Sequence, residues 1–486
     1  MNRFLLLTVA LAVVLPSPGL AQTQAPKLNF VLIFVDDLGW MDLSCQGSDY
    51  YKTPNVDRLA AEGTRFTNAY AACAVCSPTR AAVQTGRYPG RVGVTDWIRS
   101  LFQRGNIGTA DKNPTEYVGG KNLRLLCPPN PYWMEHEEVT IAEALHGHGY
   151  KSAYIGKWHL GDEAWYPPGQ GYDVNKGGCD YGQPPSYFDP FNQPNGKHPM
   201  IRAGIPGLPG RKPGQYLTHR EAEEAVELIT AWKDEPFFIQ VSHYAVHTPI
   251  QAIAEVAAKY ERAGKSAQNA KYAAMVESFD DSTRDILNTL EELKIDDRTV
   301  VIFSSDNGGL DGNGNPTDNA PLRSGKGYPY EGGVRVPFLV KWPGVAKPGS
   351  VSDEPVCSID IFPTIMEGAG VALPNDRVID GLSLVDHLKS GGTDKLDRDE
   401  LIWHFPHYRH PPGPYSIIRK GDWKLIHYYQ DQPQLFNLAD DLSEANDLAS
   451  QLPDKVKQLE DRLMIRLKDM GALLPRPNPE FVEKSQ

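Results

Sequence analysis

Past its first fifteen residues the chain has no apolar stretch approaching the ~20 residues that a membrane-spanning helix needs, so no later segment reads as an anchor. Cysteine is sparse. The six residues Cys45, Cys73, Cys76, Cys127, Cys179 and Cys357 in 486 exclude a disulfide-stapled scaffold and leave room for one or two bridges in an oxidising compartment. Positive charge is in deficit: 49 Lys and Arg face 61 Asp and Glu, for a net charge of −12. That balance argues against a nucleic-acid partner, which calls for a basic face. An anionic substrate would have to be drawn in by local positive charge. Internal repeats and low-complexity tracts are also missing.

What is present begins with a secretory pattern. Arg3 precedes the apolar run Phe4–Leu15, Pro16, Pro18 and Gly19 break it, and Ala21 offers a small residue for cleavage. Residues 1–21 are therefore expected to be a signal peptide, with the remainder secreted or periplasmic and free of the membrane. Hydrophobic residues at 41% and charged residues at 23% are ordinary for a globular protein, and the length exceeds one typical domain.

Strand and helix signals alternate over the first three quarters. Asn29–Val35 (NFVLIFV) is a continuous apolar run of strand length, the pattern of a strand buried on both faces. Thr53 as cap and Pro54 in the first turn open a helix that Gly63 ends. Helices are predicted over Thr140–Gly147, Thr218–Lys233 and Lys271–Leu293, the last with Tyr272, Met275, Phe279, Ile286 and Leu290 on one stripe. Strands are predicted at Lys151–Ile155, Phe237–Val241 and Thr299–Ser304. The alternation predicts an α/β fold with a mostly parallel sheet flanked by helices. The Trp165–Gly214 stretch is rich in Pro, Gly and Tyr and has little periodicity; a loop of that length is usually either functional or disordered. After about Pro374 the pattern changes to a hairpin of Ser416–Arg419 and Trp423–Tyr429 and an amphipathic helix over Lys455–Met470. The expected division is a larger N-terminal α/β domain, 22–374, and a smaller C-terminal α+β subdomain, 375–486.

Two acidic pairs, Asp36-Asp37 and Asp306-Asn307, directly follow predicted buried strands, where open α/β sheets place ligand sites. Three carboxylates and an amide oxygen suit Ca²⁺ or Mg²⁺, although Asp after a strand is equally a common turn residue. Cys76-Ser77-Pro78-Thr79-Arg80 opens a segment of helical length that ends at Gly86. A group at Cys76 would then face a helix N-terminus, where anions are stabilised. Taken alone this suggests a thiolate of lowered pKa, or a structural cysteine paired with Cys73.

CSPTRAAVQTG (Cys76–Gly86) resembles the signature of the type I, formylglycine-dependent sulfatases of the alkaline phosphatase superfamily, C-x-P-x-R followed by x-x-x-x-T-G. Val83 stands where that family more often has Leu. The companion motifs come in family order: FVDDLGW (Phe34–Trp40), GKWHLG (Gly156–Gly161), HYAVHTP (His243–Pro249), SSDNGG (Ser304–Gly309) and GKGYPYEGGVRVP (Gly325–Pro337). The resemblance runs from about Lys27 to the C-terminal segments and is strongest to bacterial polysaccharide sulfatases. It implies an alkaline-phosphatase-like fold and hydrolysis of sulfate esters. It implies one Ca²⁺ on Asp36, Asp37, Asp306, Asn307 and the group at Cys76. It implies that a maturing enzyme oxidises Cys76 to formylglycine, whose hydrate attacks sulfur. Arg80 would steady that group and Lys157 would bind sulfate. His159 would act as base, and His247 with Lys326 would bind sulfate and assist the leaving alcohol.

The segment His404-Phe405-Pro406-His407-Tyr408-Arg409-His410 packs histidines, an arginine and aromatics together. It reads as a solvated loop, as an adventitious metal site of the kind His-rich tracts form, or as a sugar-binding rim, with His404, His407 and Arg409 as candidate contacts to a sulfated carbohydrate cleaved at a chain end. Tyr166, Tyr172, Tyr181 and Tyr187 would form the facing wall. Rival readings are a phosphoester or phosphonate hydrolase of the same superfamily and a catalytically dead glycan-binding protein. The latter would be expected to lose Cys76, Arg80 or a metal ligand, and none is lost.

Overall fold

The computed structural model describes residues 27–99, 110, 112–196, 199–312 and 314–483; the expected signal peptide lies outside the described residues. Its central sheet has eight strands, β1 (Asn29–Val35), β2 (Thr64–Phe66), β3 (Lys151–Gly156), β4 (Val174–Lys176), β5 (Phe237–Ser242), β6 (Thr299–Ser305), β7 (Phe338–Lys341) and β8 (Ser350–Ser352). The order across the sheet is β8-β2-β7-β6-β1-β5-β3-β4. β7 runs antiparallel to β6 and β2, and the other pairings are parallel.

β1 shows why the sheet is covered on both sides. Each of its residues is buried. Val31, Ile33 and Val35 enter one core, and Phe30, Leu32 and Phe34 enter the other. That is the period-two alternation of a strand, applied to a run with no polar face. Helices α1 (Pro54–Glu62), α4 (Leu217–Ala231) and α5 (Ala267–Glu292) cover the first face; α2 (Cys76–Thr85), α3 (Ile141–His146) and α6 (Ile361–Ala369) cover the second. The α5 stripe is buried as its spacing predicts. α3 opens with a reciprocal capping box: Glu143 N–H donates to Thr140 Oγ1 at 3.1 Å and Thr140 N–H to Glu143 Oε2 at 2.8 Å. α1 differs from expectation. Thr53 does not cap it; Asp280 of α5 does, accepting from Asn55 N–H at 3.0 Å and Val56 N–H at 2.8 Å. None of the six cysteines is bridged.

The C-terminal part forms an antiparallel sheet in chain order, β9 (Glu400–Phe405), β10 (Tyr415–Lys420), β11 (Trp423–Tyr428) and β12 (Gln434–Asn437). Helix α7 (Pro453–Asp469) lays Leu459, Leu463 and Leu467 on it. The same core takes in Tyr70, Val75, Ala82, Tyr330 and Val334, so the small sheet packs directly behind the start of α2 and the loop that follows Lys326. A buried ion network crosses that contact: Lys424 Nζ lies 2.9 Å from Glu331 Oε1 and 2.8 Å from Glu444 Oε1.

Candidate active site

Four neighbouring parallel strands, β6, β1, β5 and β3, end side by side. Val35 pairs with Ser305, so the next residues, Asp36-Asp37 and Asp306-Asn307, emerge together. The turn beyond β5 carries His247, and the turn beyond β3 carries Lys157 and His159. Sheet topology alone thus gathers these groups, at the position where open α/β sheets bind ligands. Gly156 permits the close approach: a Cβ there would fall 2.1 Å from Ser242 O, and its φ of +87° favours glycine.

The carboxylates are fully buried and cross-linked by cations. Lys157 Nζ sits 2.6 Å from Asp36 Oδ2, and Lys326 Nζ 2.6 Å from Asp37 Oδ1. Arg80 donates from Nε to Asp306 Oδ2 at 2.9 Å and from Nη1 to Lys157 O at 2.6 Å. Asn307 Nδ2 donates to Asp37 Oδ1 at 2.8 Å. Asp36 Oδ1 and Asn307 Oδ1 are buried without a hydrogen-bond partner. Asp36, Asp37, Cys76 and His247 can each place a ligand atom within 4.8 Å of the others. Orphaned buried oxygens beside carboxylates fit a hard divalent cation. Burial, with Asp306 adding to it, raises Asp36 well above the carboxylate range against the pull of Lys157. Burial also works against Asp37, but Lys326 and His247 outweigh it and hold its carboxyl below the ordinary value.

Cys76 is the first residue of α2, so the helix N-terminus faces the same place. Its neighbours fix the turn. Thr79 Oγ1 accepts from Cys73 N–H at 3.0 Å, and Ser77 Oγ donates to His159 O at 2.9 Å while accepting from Ile98 N–H at 3.0 Å. Burial would raise the Cys76 thiol, yet Lys157, Lys326, His159 and His247 together hold it well below its usual value. The position is built for negative charge.

His159 Nε2 lies 2.9 Å from Ile98 O; a carbonyl only accepts, so Nε2 carries the proton. Its Nδ1 is buried without a hydrogen bond, with Cys76 as its neighbour. Burial lowers this imidazole to about 4, so it is a neutral proton acceptor near pH 7. His247 Nδ1 is turned to Thr248 O at 2.9 Å, and its Nε2 lies 3.4 Å from Asp37 Oδ2.

Above Cys76 opens a cavity of about 260 Å³ whose walls include Trp97, His159, Gln183, His247, Lys326 and Arg409. A larger groove of about 820 Å³ along Arg398, Lys420 and Trp423 holds none of these groups, so chemistry rather than size marks the site. Of the C-terminal candidates, Arg409 reaches the cavity. His404 and His407 do not. His404 is buried with Nδ1 2.8 Å from Ser416 Oγ and Nε2 3.1 Å from Leu473 O, and His407 Nε2 is 2.8 Å from Thr95 Oγ1. They are packing groups of the small sheet. The tyrosine wall is also different from expectation. Tyr172 packs edge-on against Tyr154 in the core, and Tyr187 is fully buried.

Some contributors are not evident from motifs. Tyr187 OH lies 2.6 Å from Tyr244 O and 2.8 Å from His247 O and shares its one proton between the two carbonyls, pinning the His247 turn. Glu221 accepts from His243, Nδ1 to Oε2 at 2.6 Å, and Ser282 Oγ meets the other ring nitrogen at 2.9 Å, all three buried. Glu221 falls four residues after Leu217 and four before Ala225, the spacing of the buried face of α4, and that was its available signal.

Fold and site together define a hydrolase that handles an oxyanion ester over a carboxylate-rich centre. The sulfatase family model matches residues 28–371, and the model described as N-sulphoglucosamine sulphohydrolase, C-terminal, matches residues 325–472. A sulfatase of Formosa agariphila is 34% identical over 513 residues, covering 90% of this chain and 88% of that protein. Human N-acetylgalactosamine-6-sulfatase is 34% identical over 390 residues, covering 77% of this chain and 68% of that protein. The crystal structure of Ps i-CgsB in complex with k-i-k-neocarrahexaose matches with a TM-score of 0.75 at 28% identity, covering 94% of this chain and 95% of that one. The chain belongs to the sulfatase family. It is a sulfuric ester hydrolase with the alkaline-phosphatase-like fold of that family, and among its described residues no helix is long and apolar enough to cross a membrane.

Proposed function

We propose that this enzyme removes O-sulfate groups from a sulfated carbohydrate outside the cytoplasm, acting at chain ends, with Cys76 matured to formylglycine and one Ca²⁺ bound. The observation that carries the reading is the convergence of Lys157, Lys326, His159 and His247 on Cys76, above three buried carboxylates. The carbohydrate is supported by the N-acetylgalactosamine-6-sulfatase relatives and by the oligosaccharide bound in Ps i-CgsB. Chain-end action is supported by a cavity of about 260 Å³, which suits a single sulfated ring better than a run of them. Export, and encounter with a maturing enzyme, are supported by the Arg3 to Ala21 pattern.

Asp36, Asp37, Asp306 and Asn307 would hold the metal together with the group at position 76. Bound there, a hard cation draws charge from sulfate oxygens. The hydrated aldehyde at position 76 supplies the nucleophile. The chain's other residues do the rest. Arg80, fixed on Asp306 and Lys157 O, keeps the first turn of α2 at the carboxylates. Lys157 and Lys326 orient the sulfate and offset the charge that builds on its oxygens. His247, whose Nε2 lies 3.4 Å from Asp37 Oδ2, binds sulfate and meets the leaving alcohol in this reading. His159, neutral with a free Nδ1 beside residue 76, accepts a proton there. Arg409 contacts the sugar.

The test is turnover of 4-nitrophenyl sulfate against 4-nitrophenyl phosphate by matured enzyme, followed by sulfate release from defined sulfated mono- and oligosaccharides. Sulfate turnover should dominate, and oligosaccharides should lose sulfate from one end. Dominant phosphate turnover would overturn the reading in favour of a phosphohydrolase, and loss of internal sulfates would overturn chain-end action.

A further inference from the structure

The cations around the catalytic cavity nearly all have carboxylates. Lys157 is paired with Asp36 at 2.6 Å, Lys326 with Asp37 at 2.6 Å and Arg80 with Asp306 at 2.7 Å, and Arg99 is paired with Asp180. Arg409 is the exception. It lines the same cavity, has no ion-pair or hydrogen-bond partner among the described residues, and its Nε is buried. Elsewhere in the fold, buried guanidinium groups are partnered: Arg335 has Glu331, Arg398 has Asp360 and Arg220 has Glu224, while Arg419 donates to Gly421 O, Asn68 Oδ1 and Tyr70 OH. A partly desolvated, unpaired guanidinium is costly, so its retention at a cavity wall needs a reason.

Arg409 is also held in place. Its guanidinium carbon lies 4.7 Å from the Trp97 ring centroid. On another side it presses on Gly327, where a Cβ would fall 2.0 Å from Arg409 Nε. The glycine after Lys326 is therefore what lets Arg409 enter. A cation–π contact of this kind offsets only part of the desolvation. In the reading above the scissile sulfate is met by Lys157, Lys326 and His247, which come from strand ends and the loop after β6. Arg409 comes from the turn between β9 and β10. Its rigid fork of N–H donors matches the paired oxygens of a sulfate or carboxylate.

We infer that Arg409, backed by Trp97 and seated on Gly327, is the receptor for a second oxyanion on the substrate sugar, and that the preferred substrate is a doubly charged ring rather than a singly sulfated one. The second group is either another sulfate or a ring carboxylate; both present the same oxygen geometry. This inference rests on the sulfated-carbohydrate reading above and makes it more specific.

The experiment uses full-length matured enzyme and measures competitive inhibition of 4-nitrophenyl sulfate turnover. The inhibitors are monosaccharides with one sulfate at each ring position, the matching compounds with a second sulfate, and those with a C5 carboxylate. At least one doubly charged sugar should inhibit about ten- to a hundred-fold more tightly than its singly charged parents, the span of one charge-assisted hydrogen-bond pair. Which arm shows the gain, sulfate or carboxylate, identifies the second group. Arg409→Gln should erase that ratio, and Arg409→Lys should restore it only in part because the fork is gone. Equal inhibition by singly and doubly charged sugars in the wild type would overturn the inference without any variant being made. A ratio that survives in Arg409→Gln would overturn it as well. Absence of any 4-nitrophenyl sulfate turnover would instead fall on the sulfatase reading. Turnover of that ester with no inhibition by any sugar sulfate would overturn the carbohydrate reading and this inference together.

Discussion

Replacing Lys424 by methionine should destabilise the protein far more than an ordinary surface change, and should do so through the loop that carries Lys326. Lys424 lies in β11 with its side chain 1% exposed, and its ammonium is shared between Glu331 Oε1 at 2.9 Å and Glu444 Oε1 at 2.8 Å. Glu331 follows the Lys326–Tyr330 segment and also accepts from Tyr70 OH at 2.7 Å, while Glu444 Oε2 accepts from Glu331 N–H at 2.6 Å. Removing the lysine leaves two carboxylates buried together. Breaking a buried pair in this way costs about 3–5 kcal/mol, a large part of a typical 5–15 kcal/mol total. The pH dependence gives a second signature. Burial pushes Glu444 up to about 7 despite Lys424, whereas Glu331, opposed by burial, is held down to about 2 chiefly by Lys424. For Glu444 the fold favours the protonated form, so its contribution is intact below the ordinary 4.5 and is lost as pH rises through 7. Without Lys424 Glu444 rises further and Glu331 loses the main charge that holds it down, so the defect should be larger at pH 8 than at pH 6. Urea unfolding followed by tryptophan fluorescence at both pH values measures this, alongside kcat for an aryl sulfate. Adding Glu331→Gln and Glu444→Gln should recover part of the loss. A Lys424→Met protein within about 1 kcal/mol of wild type at both pH values would refute the reasoning.

Tyr187→Phe removes the donor to Tyr244 O and His247 O; a loss of about 1–3 kcal/mol in thermal unfolding and a fall in kcat with little change in KM are expected. An unchanged kcat would show that the His247 turn is held without it. His404 and His407 are lowered by burial to about 4 and about 3, below the ordinary 6.5. Their stabilisation is therefore complete above pH 6.5 and is lost as pH falls towards those values, so the melting temperature should drop between pH 7 and 5, with a shallower slope in His407→Gln. A slope identical in the variant would contradict the burial assignment. Chelation should abolish sulfate-ester turnover and lower the melting temperature while far-ultraviolet circular dichroism at 25 °C stays unchanged, and Ca²⁺ should reverse both effects. A melting temperature indifferent to Ca²⁺ would remove the metal from Asp36, Asp37, Asp306 and Asn307.

Much of the frame was legible because burial imposes period on sequence. The continuous apolar run Asn29–Val35 is β1 to the residue, and the α5 stripe is buried as spaced. The strand-end carboxylates come together because β1 and β6 are neighbours in parallel register. The misses have a common physical cause: a side chain's role is decided by its partner from another part of the chain. Thr53 looks like a cap, yet Asp280 occupies that role, accepting from Asn55 N–H across a separation of 225 residues. His404 reads as a loop residue until β9 is seen to pair it with Ser416. Tyr172 and Tyr187 suggested a sugar-facing wall because tyrosine suits both a wet rim and a hydrogen-bonded interior. Arg409, two residues beyond His407, is turned towards the cavity by Trp97 and Gly327, contacts that sequence order does not reveal.

The most direct test is peptide mass spectrometry of active enzyme over Cys76–Arg80, with a hydrazide probe to trap any aldehyde, and Cys76→Ala measured in parallel. An aldehyde at position 76 whose occupancy tracks sulfate-ester turnover across preparations, and a Cys76→Ala protein that folds but does not turn over, are the expected results. Full turnover by protein that retains an unmodified Cys76 thiol would contradict a formylglycine nucleophile.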